Sequence, residues 1–218
     1  MRVIDLFSGC GGMSLGFQNA GFQIVAAYDN WQPAIDIYQR NFQHPVFKKD
    51  LSTEDIVPEL RDLHPDIIIG GPPCQDFTMN GKGEGFKGTR GKMTHVFLER
   101  IMKMKPSFFV MENVVGLLMR KEPKRILDTL LVKLISDNYF LDRTTLNALD
   151  YGVPQYRKRV FVVGLRKDLF RVNNYQRSMI EEICSFSFPW PEAKYPNATT
   201  RYNWPDMVPY GCADVVKP

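Results

Sequence analysis

The sequence predicts an α/β fold built on a mostly parallel, twisted sheet with helices on both faces. Three features carry that expectation. Short apolar runs rich in β-branched and aromatic residues recur from residue 1 to about 165, stretches of helical period separate them, and the first run breaks into glycines where a strand hands over to a helix. At 218 residues and 44% hydrophobic content, the chain can fill the core of one sizeable domain.

Residues 3–7 form the first predicted strand, followed by the turn Ser8-Gly9-Cys10-Gly11-Gly12 and a helix over 13–20. Further strands are predicted at 24–28, 67–69, 108–111 and 160–163. Met93, Val96, Phe97, Arg100, Ile101 and Met104 fall at i, i+3, i+4, i+7, i+8 and i+11, which lays a mostly apolar stripe along one face of a helix. After about Phe188 no helical or strand period is sustained, and Pro189, Pro191, Pro196, Pro205, Pro209 and Pro218 punctuate the remainder. Residues 1–190 are therefore expected to form one domain, with 191–218 a proline-rich tail or junction.

The formal charge of +4 and pI near 8.8 permit a nucleic-acid partner without requiring one. Cys10, Cys74, Cys184 and Cys212 are far apart, form no CxxC pair and have no histidine at ligand spacing, so no metal site is expected. The apolar stretch at the N-terminus is too short for a signal peptide or a membrane span, and a reducing cytoplasm is the expected compartment.

The glycine turn after the first strand is of the nucleotide-binding kind, in which a ligand approaches the backbone closely. Asp29 stands at the end of the second strand, 18 residues beyond Gly11, the distance at which a carboxylate meets a ribose diol in such folds. Asp50 and Leu51 follow a third strand in the same manner, where a carboxylate can face an adenine amino group. No GxxxxGK[ST] loop is present, which argues against a nucleoside triphosphate.

Cys74 lies just past residues 67–69 and two glycines, where α/β sheets display reactive groups, and the turn Pro72-Pro73-Cys74-Gln75 restricts the backbone that carries the thiol. Glu112 follows the 108–111 strand, so its carboxyl emerges at the same edge of the sheet. In Gln155-Tyr156-Arg157-Lys158-Arg159, alternation puts Arg157 and Arg159 on one face. Residues 80–92 hold five glycines and the four cations Lys82, Lys87, Arg90 and Lys92, the composition of a mobile basic loop.

The ordered segments Asp5-Leu6-Phe7-Ser8-Gly9-Cys10-Gly11-Gly12, Pro72-Pro73-Cys74-Gln75, Glu112-Asn113-Val114 and Gln155-Tyr156-Arg157-Lys158-Arg159 resemble the cytosine-5 DNA methyltransferases over about residues 1–190. The resemblance implies a Rossmann-like S-adenosylmethionine-dependent methyltransferase fold. It implies that S-adenosylmethionine lies over Phe7, Ser8, Gly9, Cys10, Gly11 and Gly12, with its ribose on Asp29 and its adenine near Asp50 and Leu51. Pro73 and Met93 align with further cofactor contacts. Many members place a large apolar or aromatic residue directly after the acidic ribose ligand, whereas this chain has Asn30 and then Trp31, so either Trp31 takes over packing on adenine or the stacking is weaker. Cys74 is implied as the nucleophile, Glu112 as its carboxyl partner at the base, and Arg157 and Arg159 as cations beside the thiol and the cytosine.

For double-stranded DNA the implied contacts are Gln75, Thr78, Lys82, Lys87, Arg90, Lys92 and Gln155. Full members continue into a target-recognition domain and a Gly-Asn-Ser-type segment. The 54 residues after Gly164 contain neither, so the expectation is one subunit of a split enzyme completed by a complementary chain, while a truncation explains the same absence without a partner. Two other readings stay open. A transfer-RNA cytosine methyltransferase shares the Pro-Pro-Cys-Gln turn, although residues 146–159 resemble the DNA enzymes more closely, and a truncated member could be a non-catalytic cofactor-binding module.

Overall fold

In the computed structural model, residues 1–73, 92–169 and 187–196 are described. In chain order they form β1 (Arg2–Leu6), α1 (Gly12–Asn19), β2 (Gln23–Asp29), α2 (Gln32–Asn41), β3 (Val46–Lys48), α3 (Val57–Asp62), β4 (Ile67–Gly70), α4 (Lys92–Met104), β5 (Phe108–Val114), α5 (Gly116–Met119), α6 (Lys121–Ser136), β6 (Tyr139–Asn147) and β7 (Lys158–Arg166). The strands make one sheet in the order β3-β2-β1-β4-β5-β7-β6, parallel except at β7, which runs antiparallel to both β5 and β6.

Successive strand residues point to opposite faces, and the core divides accordingly. Ile4, Leu6, Ile68, Phe109, Met111 and Val162 join one buried cluster with Leu60 of α3, Phe97 and Ile101 of α4 and Leu127 and Leu134 of α6. Val3, Ile67, Ile69, Val110 and Val163 belong to the other, against which Met13 and Phe17 of α1 pack, together with Phe188 and Trp190. Both faces of the inner strands are therefore buried. That is why β4 reads Ile-Ile-Ile-Gly rather than alternating apolar with polar residues.

Each strand predicted from the sequence is present, including the third strand expected ahead of Asp50, observed as β3, and β6 lies beyond the prediction. The edge strand β6, Tyr-Phe-Leu-Asp-Arg-Thr-Thr-Leu-Asn, is half exposed along most of its length, and its apolar start gives way to Asp-Arg-Thr-Thr. β3, three residues at the opposite edge, is too short to show a period. β5 runs on to Val114, so Glu112 lies inside the strand rather than after it. The strand outlasts its apolar run because β7 pairs with it as far as Val114↔Arg159.

The chain leaves β1 toward β2 and β3 on one side, and β4 toward β5 on the other. β1 and β4 are adjacent, with Leu6 beside Gly70. Open α/β sheets bind ligands at such a reversal, outside the carboxyl ends of the two strands. Gly70 permits the close approach, since a Cβ there would collide with the Leu6 carbonyl and the Phe97 ring.

Candidate active site

The turn after β1 is tightly wound. Phe7 has a φ of 58°, a left-handed conformation uncommon for a bulky side chain, and the Ser8 amide donates to the Tyr28 carbonyl. Gly11 caps α1 at φ 93°, and a Cβ there would run into the rings of Tyr38 and Phe42. Asp29 closes the turn from the neighbouring strand: its Oδ2 accepts the Gly9 amide at 2.8 Å and its Oδ1 the Trp31 amide at 2.9 Å. Each oxygen retains a lone pair for a further donor. Cys10, Gly12 and Asn30 are exposed, and Trp31, 64% exposed, presents an indole to solvent beside Asp29.

A buried polar chain supports this turn from beneath. The Tyr38 hydroxyl donates to Ser14 Oγ at 2.7 Å, Ser14 Oγ donates to Asp5 Oδ2 at 2.7 Å, and His44 Nε2 stands 2.6 Å from the Tyr38 oxygen. Burial pushes the Asp5 carboxyl up to about 7, against the lowering effect of the Ser14 hydrogen bonds. Asp5 Oδ1 and Ser8 Oγ are buried and have no partner among the described residues, so the floor of the turn holds hydrogen-bonding capacity that is unspent.

Asp50 directs its carboxylate into its own turn, accepting from the Ser52 amide and hydroxyl, and Leu51 is buried in the core. Arg100, the one cation in the otherwise apolar α4 stripe, is buried because its Nη2 donates to the carbonyls of Leu51 and Glu54. Met93 is half-buried in the first turn of α4.

At the carboxyl edge of β4, Pro72 is buried and Pro73 exposed. Asn113, on β5 and 2% exposed, reaches Pro72 and α4 together: its Nδ2 lies 3.3 Å from the Pro72 carbonyl and 3.3 Å from Thr94 Oγ1. Glu112 points to the opposite face. There β5 and β7 set Glu112 opposite Phe161, so Arg159, two residues earlier on β7, is its diagonal neighbour. Arg159 Nε lies 2.9 Å from Glu112 Oε1, and a Cβ placed on Gly71 would stand 3.4 Å from Glu112 Oε2. Burial raises the Glu112 carboxyl above the ordinary glutamate range, opposed by the charges of Arg159 and Arg157. A carboxyl poised in this way can share a proton with a neutral ring nitrogen.

Arg157 is exposed just before β7, with its amide held 3.0 Å from Asn147 Oδ1 and its carbonyl accepting the Ala148 amide. Gln155 is exposed on the same loop. Cys74, Gln75, Thr78, Lys82, Lys87 and Arg90 lie outside the described residues, as does the side chain of Lys92. Sequence reasoning passed over Asn113, Thr94 and Asn147 as site residues. For Asn113 and Asn147 the available signal was an amide side chain inside a strand or closing one; for Thr94 no local signal existed.

A family model for C-5 cytosine-specific DNA methylases matches residues 1–206. The chain belongs to that family. The type II methyltransferase M.HgiDI of Herpetosiphon aurantiacus is 47% identical over 167 residues, covering 76% of this chain and 52% of the relative. M.HindV of Haemophilus influenzae is 43% identical, covering 75% and 53%. M.HgiGI, also of Herpetosiphon aurantiacus, is 50% identical over 115 residues, which cover 52% of this chain and 90% of that relative. The chain thus spans about half the length of M.HgiDI and M.HindV. Among solved structures, a putative DNA modification methyltransferase encoded within an E. coli prophage superposes with a TM-score of 0.67 at 33% identity, over 80% of this chain and 49% of that one. A Spodoptera frugiperda DNMT2 mutant superposes at 0.63 with 25% identity, over 79% and 53%. The Rossmann-like methyltransferase fold expected from the sequence is the fold observed.

Proposed function

We propose that this chain is the cofactor-binding and catalytic portion of an enzyme that methylates C5 of cytosine in double-stranded DNA, using S-adenosylmethionine, in the bacterial cytoplasm. One observation carries the reading. The glycine turn and the Gly71-Pro72-Pro73 turn leave adjacent strand ends, and the Glu112 carboxyl, with Arg159 on it, stands against the second turn.

The residues fit the cofactor. Unpartnered Asp5 Oδ1 and Ser8 Oγ lie beneath the turn, the free lone pairs of Asp29 suit a ribose diol, and exposed Trp31 offers a flat apolar surface to a purine. Asp50 would meet the adenine edge, with Leu51 behind it in the core and Pro73 and Met93 lining the remainder. When bound, S-adenosylmethionine supplies an electrophilic methyl group.

C5 of cytosine is too weak a nucleophile to take that methyl group unaided. The Cys74 thiolate adds to C6 while Glu112 hydrogen-bonds N3, which spreads the electron pair toward C5. Arg157 favours the thiolate, and Arg159 orients Glu112 and contacts the base. After C5 is methylated, its proton leaves to a base such as water, the C6–S bond breaks and the double bond returns. The reacting carbons are inaccessible in a duplex, so the cytosine is flipped into the site. Closure of the basic segment bearing Lys82, Lys87, Arg90 and Lys92 over phosphates, with Gln75, Thr78 and Gln155 beside the base, completes the site.

Target recognition falls to sequence equivalent to the half of M.HgiDI and M.HindV that this chain does not span. The test is labelled methyl transfer by the chain with and without that half, on DNA and on RNA, comparing wild type with Cys74→Ala. Transfer to DNA that Cys74→Ala abolishes, with cofactor binding retained by calorimetry, is expected. Full activity of Cys74→Ala would remove the thiol mechanism, and transfer to RNA alone would replace the substrate.

A further inference from the structure

The stretch 187–196 contains neither helix nor strand, yet it is tied to the sheet at two separate levels. On the face that carries Glu112 and Arg159, register produces three rows across β6, β7 and β5: Asp142-Val163-Val110, then Thr144-Phe161-Glu112, then Leu146-Arg159-Val114. Asp142 occupies the row next to that of Glu112. Its Oδ2 accepts two donors from the strap, the Phe188 amide at 2.8 Å and the Trp190 indole Nε1 at 2.9 Å. The Phe188 ring stacks on Phe108, at the amino end of β5, with centroids 6.0 Å apart, and Trp190 packs edge-on against Phe188.

From there the strap runs along β6 to the turn at its carboxyl end. The Tyr151 hydroxyl donates to the Pro191 carbonyl at 3.0 Å, and the Tyr195 amide to the Asp150 carbonyl at 2.9 Å. A Cβ placed on Gly152 would stand 3.3 Å from the Tyr195 ring. Asp150 and Tyr151 belong to the 3-10 turn of residues Ala148–Tyr151, which is bonded on its other side to Arg157 through Ala148 and through Asn147. One turn is therefore held between the strap and the arginine loop.

We propose that Asp142 is a positioning residue: by fixing Phe188 and Trp190 across the sheet it holds the strap against the Ala148–Tyr151 turn, and the turn holds Arg157 at the substrate edge. This rests on the proposed role of Arg157 in cytosine methylation, but the mechanical coupling can be measured without turnover. Two donors converge on a single oxygen, so the acceptor matters more than the charge. An asparagine carbonyl can replace that oxygen, whereas an alanine leaves the Trp190 and Phe188 N–H groups unpaired.

The experiment compares Asp142→Asn, Asp142→Ala and Tyr151→Phe in the full chain. In Asp142→Ala, amide hydrogen exchange should accelerate in residues 148–157 as well as in 187–196, while the β1 and β2 segments stay unchanged, and Trp190 emission should shift to the red. Asp142→Asn should restore both signals. With the complementary half and DNA present, Asp142→Ala should lower kcat by about tenfold or more while the KM for cofactor stays within about twofold, since a misplaced group costs rate rather than remote binding. Tyr151→Phe, which removes only the link to Pro191, keeps the coupling testable if Asp142→Ala does not fold, and it should accelerate exchange in 148–157 alone. Exchange confined to 187–196 in Asp142→Ala, or an asparagine variant as impaired as the alanine one, overturns the proposal. Loss of methyl transfer in the wild type together with intact exchange coupling would instead count against the function.

Discussion

Arg159 Nε lies 2.9 Å from Glu112 Oε1, a diagonal pair on one face of an antiparallel ladder. Both side chains are about three-quarters covered, so the carboxyl experiences burial and a cation together, and burial prevails. Removing Arg159 leaves the raising effect of burial opposed only by the charge of Arg157. In Arg159→Gln the Glu112 titration should therefore move to higher pH than in wild type, read by carboxyl carbon NMR against the Glu112→Gln control. A downward movement would contradict the ranking of causes. Glu112→Gln itself should slow single-turnover methyl transfer by roughly 100-fold or more, as expected for loss of a positioned acid.

Asn113 ties the turn before Cys74 to α4 from the other face of the same strand. Asn113→Ala leaves the Pro72 carbonyl and the Thr94 hydroxyl buried without this donor, so unfolding free energy should fall by about 1–3 kcal/mol. The urea midpoint measures this. An unchanged midpoint would mean that the turn does not depend on Asn113.

Asp5 gives a pH dependence of stability with a defined sign. Its carboxyl is pushed up to about 7 in the folded protein, from an ordinary value of 3.8. The folded state therefore holds a proton that the unfolded state has released, and stability is fully present below 3.8 and lost progressively as pH rises through about 7. Wild type should have a higher urea midpoint at pH 5 than at pH 8. Asp5→Asn, which cannot ionise, should flatten that difference, and an equally steep variant would locate the dependence elsewhere.

Trp31 separates binding from folding. Being 64% exposed, it should alter stability by no more than about 0.5 kcal/mol when changed to alanine. Loss of an aromatic platform should nonetheless weaken S-adenosylmethionine binding by roughly tenfold. Calorimetry of Trp31→Ala and Trp31→Phe, the latter largely restored, tests the assignment.

What the sequence determined by itself was local. Three isoleucines ahead of glycine and two prolines announce a strand buried on both faces and a rigid turn, and glycines after residues 3–7 announce a strand passing into a helix. Each is decided within a few residues by φ/ψ limits and side-chain period. The order of these segments also identified the family. The edge strand β6 escaped notice because its apolar start gives way to half-exposed Asp, Arg and Thr residues, and its existence depends on β7 beside it.

Only the tertiary structure decided which side chains meet. Glu112 and Arg159 become neighbours because β7 returns antiparallel along β5 in one particular register, and a slip of one residue would turn Arg159 to the opposite face. Asn113 finds Pro72 and Thr94 for a similar reason: strand alternation sends it toward α4 while Glu112 faces away. The strap at Asp142 depends on contacts 46 and 48 residues apart in the chain. Partners at such separations are selected by sheet register and packing, which no local pattern of amino acids encodes.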